Sequence, residues 1–311
     1  MGTRQRQLYT KNENAFHAVK GFQKKDYFIP INKFETKVRI QSSGQGEPLL
    51  FIPGGPSSGT IWTELVCHLP DYHCLLIDRP GTGLSDPIRY QNLNNGRLSD
   101  IITTTIDEVL QYFNLPQINV IGSSFGGYWA LKYSVHRPEK VKRLVLEGCP
   151  AFIEGYKIPP FMKIMTQPLM KWLIPKLPTT LAFSKKLLMD MGHTPEVVNS
   201  LIPREYFNWY ISMCNNTITL KNDLQVINKA MKGGKVDPQY YLRDHELCEI
   251  KAQTLWLWGN NDPFASAETC KRVNDIMSNS KTMFFENSGH LPWMDDPKTH
   301  AKVVQDFFQN A

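Results

Sequence analysis

Three side chains in this sequence, Ser124, Asp262 and His290, are the types a nucleophilic hydrolysis needs. A hydroxyl attacks, an imidazole takes its proton, and a carboxylate orients the imidazole. Ser124 stands in Gly122-Ser123-Ser124-Phe125-Gly126, a G-x-S-x-G pattern. An apolar run, Ile118 to Ile121, stops at the first glycine, and a helical run starts near Phe125. A tight strand-to-helix turn of this kind pushes the hydroxyl out of the chain and aims the free N–H groups of the first helical turn at a developing oxyanion. A Cβ at either flanking glycine would collide across so sharp a turn. Ser123 competes for the role, but its neighbours two places away are Ile121 and Phe125. The pattern alone is weak; its placement between a β-run and a helical run makes it specific.

Asp262 lies in Trp258-Gly259-Asn260-Asn261-Asp262-Pro263-Phe264, directly after the apolar run Thr254 to Trp258. His290 lies in Asn287-Ser288-Gly289-His290-Leu291-Pro292, just past Thr282 to Phe285. Loops at the carboxyl ends of parallel strands share one edge of the sheet, so the three residues can converge there. The rivals stay open at this point. Glu147 closes an earlier strand and is the main rival acid; Asp262, before Pro263, also suits a helix start. Asp295 and Asp296 follow His290 too closely and read as caps of the last helix. The other seven histidines read as structural or surface groups.

The elements that must position these residues follow a strand–helix rhythm. Residues 1–25 are polar and aperiodic, and read as a flexible or loosely docked arm. β-formers dominate Tyr27 to Ile31 and Phe34 to Ile40, and Ser42-Ser43-Gly44-Gln45-Gly46 is expected to close a hairpin. Leu49 to Ile52, Cys74 to Ile77, Ile118 to Ile121 and Val141 to Leu146 are short apolar runs suited to strands buried on both faces. Helices are expected through Trp62 to Leu69, Leu98 to Phe113 and Tyr128 to His136. After Gly148 about a hundred residues pass without such a strand, and the rhythm resumes at Thr254. The predicted organisation is a core over 26–149 and 250–311 with a helical cap over 150–249. An insertion of that length in an α/β domain is usually functional.

Composition narrows the class. The chain has 311 residues, 41% hydrophobic and 21% charged, with a formal net charge of +6. That is an ordinary globular balance with no basic stripe, so nucleic acid is not expected as a partner. The six cysteines show no C-x-x-C spacing and read as reduced, mostly buried thiols of a cytoplasmic protein. No apolar h-region opens the chain, and no run is long enough to span a bilayer. Neither a metal motif nor a clustered Cys/His spacing occurs, and the chemistry needs no cofactor. Phe161 to Ile174 form an apolar stretch interrupted by Lys163 and Lys171, with Lys176 just beyond. Its expected role is to roof the pocket; weak lipid contact through this cap is the alternative.

Five motifs occur in order, each at a strand end: Pro53-Gly54-Gly55-Pro56, Asp78-Arg79-Pro80-Gly81-Thr82-Gly83-Leu84-Ser85-Asp86, Gly122 to Gly126, Gly259 to Asp262, and Ser288-Gly289-His290. On these motifs the chain resembles the α/β-hydrolase fold superfamily from about Tyr27 to Phe308, and the order Ser, Asp, His is the one given for that type of triad. The resemblance implies an α/β fold with a mostly parallel, doubly wound sheet of about eight strands and an inserted helical cap. It also implies an oxyanion hole. In that superfamily the loop after the third strand often reads His-Gly-x-Pro, the x residue donating its N–H. Here Pro53 replaces the histidine, Gly55 fits the donor position, and Phe125 is the second donor. The Asp78–Asp86 loop reads as structural, with Arg79 or Asp86 bracing it.

The function expected is that of a cofactor-independent, carboxylesterase-like serine hydrolase. It would cleave a carboxylic ester of a small to medium, largely apolar substrate through an acyl-enzyme. The same residues would serve a lactonase, a C–C bond hydrolase, an acyltransferase or an aminopeptidase. The Gly-Gly-Pro loop faintly resembles that of proline iminopeptidases, although Ser123 replaces their usual Trp. From a different class, the fold also serves as a small-molecule receptor.

Overall fold

The computed structural model describes residues 1–90, 92–232 and 234–309. The last two residues of the expected core, and the side chains of Pro168 and Lys171, lie outside what is described. Eight strands build the main sheet: β1 (Lys25–Ile31), β2 (Thr36–Ser43), β3 (Glu47–Ile52), β4 (Tyr72–Ile77), β5 (Ile118–Ser123), β6 (Val141–Glu147), then β9 (Gln253–Gly259) and β10 (Ser280–Phe285). The short strands β7 (Met231–Lys232) and β8 (Lys235–Val236) pair with each other outside it. The main sheet runs in the order β1-β2-β4-β3-β5-β6-β9-β10. β1 and β2 are antiparallel, as are β2 and β4; every other pair is parallel.

The central strands are uninterrupted apolar runs because both faces are covered. Leu50, Ile52, Leu75, Ile77 and Val120 pack into one buried cluster. Their alternates Leu49, Phe51, Cys74, Leu76 and Ile121 pack into another, as a period of two dictates. Helices α3 (Asn95–Tyr112) and α4 (Phe125–His136) cover the first face. Helices α2 (Thr63–Val66) and α12 (Pro297–Gln309) cover the second, where Trp62 and Trp293 stack with centroids 4.2 Å apart. The parallel sheet covered on both faces is the one the residue pattern implied, and its eight strands are what the resemblance implied.

Between β6 and β9 the chain runs through α5 (Pro160–Met165), α6 (Pro168–Leu173), α7 (Leu181–Asp190), α8 (Arg204–Asn216), α9 (Thr219–Ala230) and α10 (Asp244–Cys248). Helix α11 (Ala267–Ile276) then links β9 to β10.

Two sequence expectations fail. The Ser42–Gly46 segment closes no hairpin, because β4 lies between β2 and β3 in the sheet. The hairpin is β1–β2 instead, turned through residues 32–35 with Glu35 at φ +50°. Gly44 and Gly46, both at positive φ, press against the backbone of Asp71 and Tyr72 as the chain passes into β3. The second failure is the N-terminal arm. Residues Thr3–Val19 form a helix, α1, that docks through Tyr9, Glu13 and Phe16, all with no exposed surface. Phe16 stacks on Trp209 of α8 at 5.8 Å and meets Tyr206 edge-on at 5.7 Å.

What holds α1 down is a buried charge network. Glu13 Oε1 and Oε2 accept from Arg39 Nη2 and Nη1 at 2.6 and 2.8 Å, and Arg39 Nε lies 2.9 Å from Asp78 Oδ2. Tyr9 and Thr60 hydroxyls donate to Glu13 Oε1, and Asp78 accepts the N–H groups of Gly59 and Leu84. Burial alone would push the Glu13 carboxyl up; the charge and hydrogen bonds of Arg39 outweigh it and hold the group well below the usual carboxylate range. Burial pushes Asp78 up, with the Glu13 charge adding to that and Arg39 opposing it.

Glu13→Gln is expected to cost about 3 kcal/mol at neutral pH, since it leaves a buried guanidinium without one of its two fully buried carboxylate partners. Because the folded-state pKa of Glu13 is lowered, its stabilisation is full above the unfolded carboxyl value of about 4.3 and fades as pH falls toward the folded value. Urea melts of the two proteins should therefore differ most at pH 7 and converge at acid pH.

Candidate active site

The turn that presents Ser124 joins β5 directly to α4. Ser124 holds φ +50° and ψ −119°, a region costly for a residue with a side chain. The surroundings leave no alternative. A Cβ on Gly122 would lie 2.7 Å from the Gly126 carbonyl oxygen, and one on Gly126 would strike the Ile52 carbonyl at the end of β3. α4 starts at Phe125, so the Phe125 N–H has no partner within the helix. The first helical bond is donated by Tyr128 N–H to the Ser124 carbonyl, at 3.0 Å.

Asp262 and His290 come from the loops after β9 and β10, as the strand-edge argument requires. His290 Nδ1 and Asp262 Oδ2 are 2.9 Å apart. Asp262 is further fixed by two backbone N–H donors, Cys149 to Oδ2 and Phe264 to Oδ1, each at 2.9 Å. Phe264 covers the imidazole with ring centroids 4.1 Å apart. The imidazole is only 1% exposed, yet its Nε2 has no hydrogen-bond partner, Ser124 included. Ser124 and His290 both line one cavity of about 270 Å³, together with Gly54, Gly55 and Phe125. Ligand-free sites often hold such a pair apart until substrate tightens it.

The rival acids have other partners. Glu147 is fully buried and faces His300 Nδ1 at 3.1 Å. Asp296 accepts from Thr299 N–H at the start of α12, as a cap should. Asp295 does not: it pairs with His193 Nδ1 at 2.9 Å and accepts Gly289 N–H at 3.0 Å, bracing the loop that carries His290. Asp262 does not start a helix, since α11 begins at Ala267 behind the N-cap Ser266. Cys149, beside the site, stays a thiol because burial pushes it well up and the Asp262 charge adds to this. Of the six cysteines three are buried, and none forms a disulfide.

Two supporting residues, Ser123 in this role and Asp223, had no signal in the sequence, and a third, Arg79, reaches further than expected. Ser123, the rejected nucleophile, has no exposed surface and accepts the Gly54 N–H on its Oγ at 3.2 Å, tying the 53–56 loop to the serine turn. Arg79 donates to the carbonyls of Pro53 and Gly54 at 3.0 and 2.9 Å. The same guanidinium pairs with Asp223 of α9 at 2.8 Å and lies 5.1 Å from the Phe125 ring centroid. Arg79 was expected to brace its own loop; that it holds the 53–56 loop and Asp223 was not legible. Asp223 could not be found, because a lone acid on a helix reads as a solvated face.

The remaining cavity wall is apolar and comes mostly from the inserted helices, through Met162, Met165, Leu187, Tyr206, Tyr210 and Ile227. Besides His290, the only titratable acid or base of the described lining with a formal charge is Asp223, and no Lys or Arg contributes. Among the described residues no group of three or more His, Cys, Asp or Glu is gathered as a metal ion would need. No described helix is long and apolar enough to cross a membrane.

Comparison with known proteins agrees with this architecture. A 2-hydroxy-6-oxononadienedioate/2-hydroxy-6-oxononatrienedioate hydrolase of Escherichia coli O81 (strain ED1a) is 25% identical over 293 residues, covering 88% of this chain and 92% of its own. The carboxylesterase CesB from Bacillus subtilis superposes with a TM-score of 0.76 at 14% identity, over 99% of this chain and 100% of its own. A meta-cleavage product hydrolase from Pseudomonas fluorescens IP01 gives a TM-score of 0.72 at 16% identity, over 91% and 97%. The family profile described as alpha/beta hydrolase fold matches residues 47–297, and with the sheet order and strand-end loops above, the chain belongs to the α/β-hydrolase fold family and is a hydrolase of that fold.

Proposed function

We propose that the chain is a serine hydrolase that cleaves a carboxylic ester with a largely apolar acyl or aromatic group, and that residues 150–249 act as a helical cap over its site. One observation carries the reading. His290 commits Nδ1 to Asp262 and keeps a buried, unpartnered Nε2 in the wall of the cavity that Ser124 also lines.

The steps follow from that arrangement. Nε2 takes the Ser124 proton as Oγ attacks the ester carbonyl, and the oxyanion rests on the N–H groups of Gly55 and Phe125. The imidazolium, stabilised by Asp262, protonates the departing alkoxide and leaves an acyl-Ser124. Nε2 then takes a proton from water, which attacks the acyl carbonyl; a second tetrahedral species collapses to the free acid and restores Ser124. Donors fixed in advance cost little to reorganise, and each lowers the barrier by about 3–4 kcal/mol. Ser123 and Arg79 hold the loop carrying Gly55, which makes them positioning residues.

The dienedioate relatives raise a second reading, a C–C hydrolase of a dicarboxylic substrate. The cavity favours the ester. A dioate brings two carboxylates, whereas the described lining offers no Lys or Arg and one acid, Asp223. Burying an unpaired carboxylate there would cost several kcal/mol.

A fluorophosphonate is expected to label Ser124 and nothing else, read by mass spectrometry of the peptides. Ser124→Ala and Asp262→Asn should each lower kcat by about 10⁴-fold or more on p-nitrophenyl esters; full activity in either would sink the assignment. Ser123→Ala should lower kcat roughly fivefold with KM nearly unchanged, the worth of one hydrogen bond of about 1 kcal/mol. In a side-by-side assay, neutral esters should turn over and a dienedioate should not; the reverse result would favour C–C cleavage.

A further inference from the structure

The first inserted helices are apolar on two sides but have a protein partner on only one. Phe161, Met162, Met165 and Ile174 turn inward and line the cavity. From the same stretch Ile164, Leu169 and Trp172 are 59%, 69% and 60% exposed, and Leu177, Leu181 and Phe183 are exposed beyond them. A helix apolar all round is normally buried all round. Leu177 and Phe183 belong to both sets: they line the cavity and reach solvent, so the exposed patch reaches the cavity's rim. The other six tryptophans are no more than 1% exposed, which makes Trp172 the exception.

Along this stretch of sequence the charge has one sign, up to Asp190, which pairs with Lys186. Between Glu154 and Asp190 the sequence carries Lys157, Lys163, Lys171, Lys176, Lys185 and Lys186, and no Asp or Glu. Lys157, Lys163 and Lys176 are exposed, and the Lys176 ammonium sits 3.3 Å from the Trp172 ring centroid. A second copy covering this face by a two-fold would set lysines against lysines. An anionic lipid surface satisfies both features. Apolar side chains enter the boundary between headgroups and acyl chains, and lysines meet the phosphates.

We propose that residues 160–183 dock the protein on an anionic lipid surface with the cavity rim toward the bilayer, so that an apolar ester reaches Ser124 from lipid rather than from water. The substrate route rests on the ester reading; the docking does not require Ser124.

The test uses Ser124→Ala protein with vesicles of phosphatidylglycerol mixed with phosphatidylcholine, and with vesicles of phosphatidylcholine alone. Sedimentation should show binding to the mixed vesicles that weakens with salt and is much weaker on the neutral ones. Brominated acyl chains should quench the Trp172 emission. The double variant Leu169→Gln/Trp172→Gln should lower binding by about tenfold or more. Lys163→Gln/Lys176→Gln should lower it about fivefold per lysine. Put into the protein that keeps Ser124, both pairs should leave hydrolysis of a soluble short-chain ester unchanged. Absence of binding to the mixed vesicles, or binding that neither double variant reduces, overturns the docking. A concentration-dependent dimer abolished by the apolar pair overturns it too, by assigning the face to a second copy. Vesicle binding that the variants reduce, in a protein that turns over no ester, keeps the docking and removes the ester reading.

Discussion

The site depends on a backbone contact that only hydrogen atoms permit. Gly126, in the first turn of α4, lies against the carbonyls of Ile52 and Pro53, where no Cβ has room. That approach brings the 53–56 loop beside Ser124, and it forces Ser124 into its strained conformation. Strain of this kind persists only when neighbours over-determine it. Here they are β3 hydrogen-bonded alongside β5, Gly122 packed against Gly126, and the Ser124 carbonyl held by the N–H groups of Tyr128 and Ala151. The proposed nucleophile and its proposed oxyanion donors are thus set by one close-packed junction rather than by separate loops.

Arg79 extends this junction upward. One guanidinium holds two carbonyls of the 53–56 loop and a carboxylate of α9, all buried. Further bonds reinforce the same seam: Asn222 Nδ2 donates to the Pro80 carbonyl at 3.1 Å, and Gly83 N–H donates to Thr219 Oγ1 at 2.9 Å. On the other side α1 bridges core and insert, since Tyr9 meets Ser58 at 3.2 Å while Phe16 packs on α8. Breaking the buried Arg79–Asp223 pair would leave an uncompensated charge, which opposes separation of α9 from the core.

The parts of this arrangement that local chemistry dictates were legible in the sequence. Ser124, Asp262 and His290 each stand in a turn that follows an apolar β-run, and parallel topology places such turns on one edge. The doubly wound sheet was legible for the same reason, from runs without alternation. Helix α1 was hidden because its inward positions, Tyr9, Glu13 and Phe16, have helical spacing but centre on a charge. A pattern search reads that acid as solvated; only the distant Arg39 makes it a core residue. The misplaced hairpin has a similar origin, since nothing local tells β2 to leave room for β4. Asp223 and Ser123 gain their meaning from partners 144 and 69 positions away.

The moorings of the insert are lopsided. α8 and α9 are tied to the core and α1 by a buried ion pair and stacked rings, whereas α5 and α6 present apolar surface to the outside and α5 meets the core through the edge contact of Phe161 with Phe264 at 6.0 Å. If residues 150–249 act as the proposed cap, the flank at α5 and α6 is the one with the fewer buried ties. Under the ester reading proposed above, an acyl group too bulky for the space would either lift that flank or push α9 away. The second course drags Arg79, and with it the Gly54 carbonyl, off station. Oversized ligands would then still lodge in the chamber but find its electrophilic end detuned, so the upper size limit registers in turnover more than in affinity.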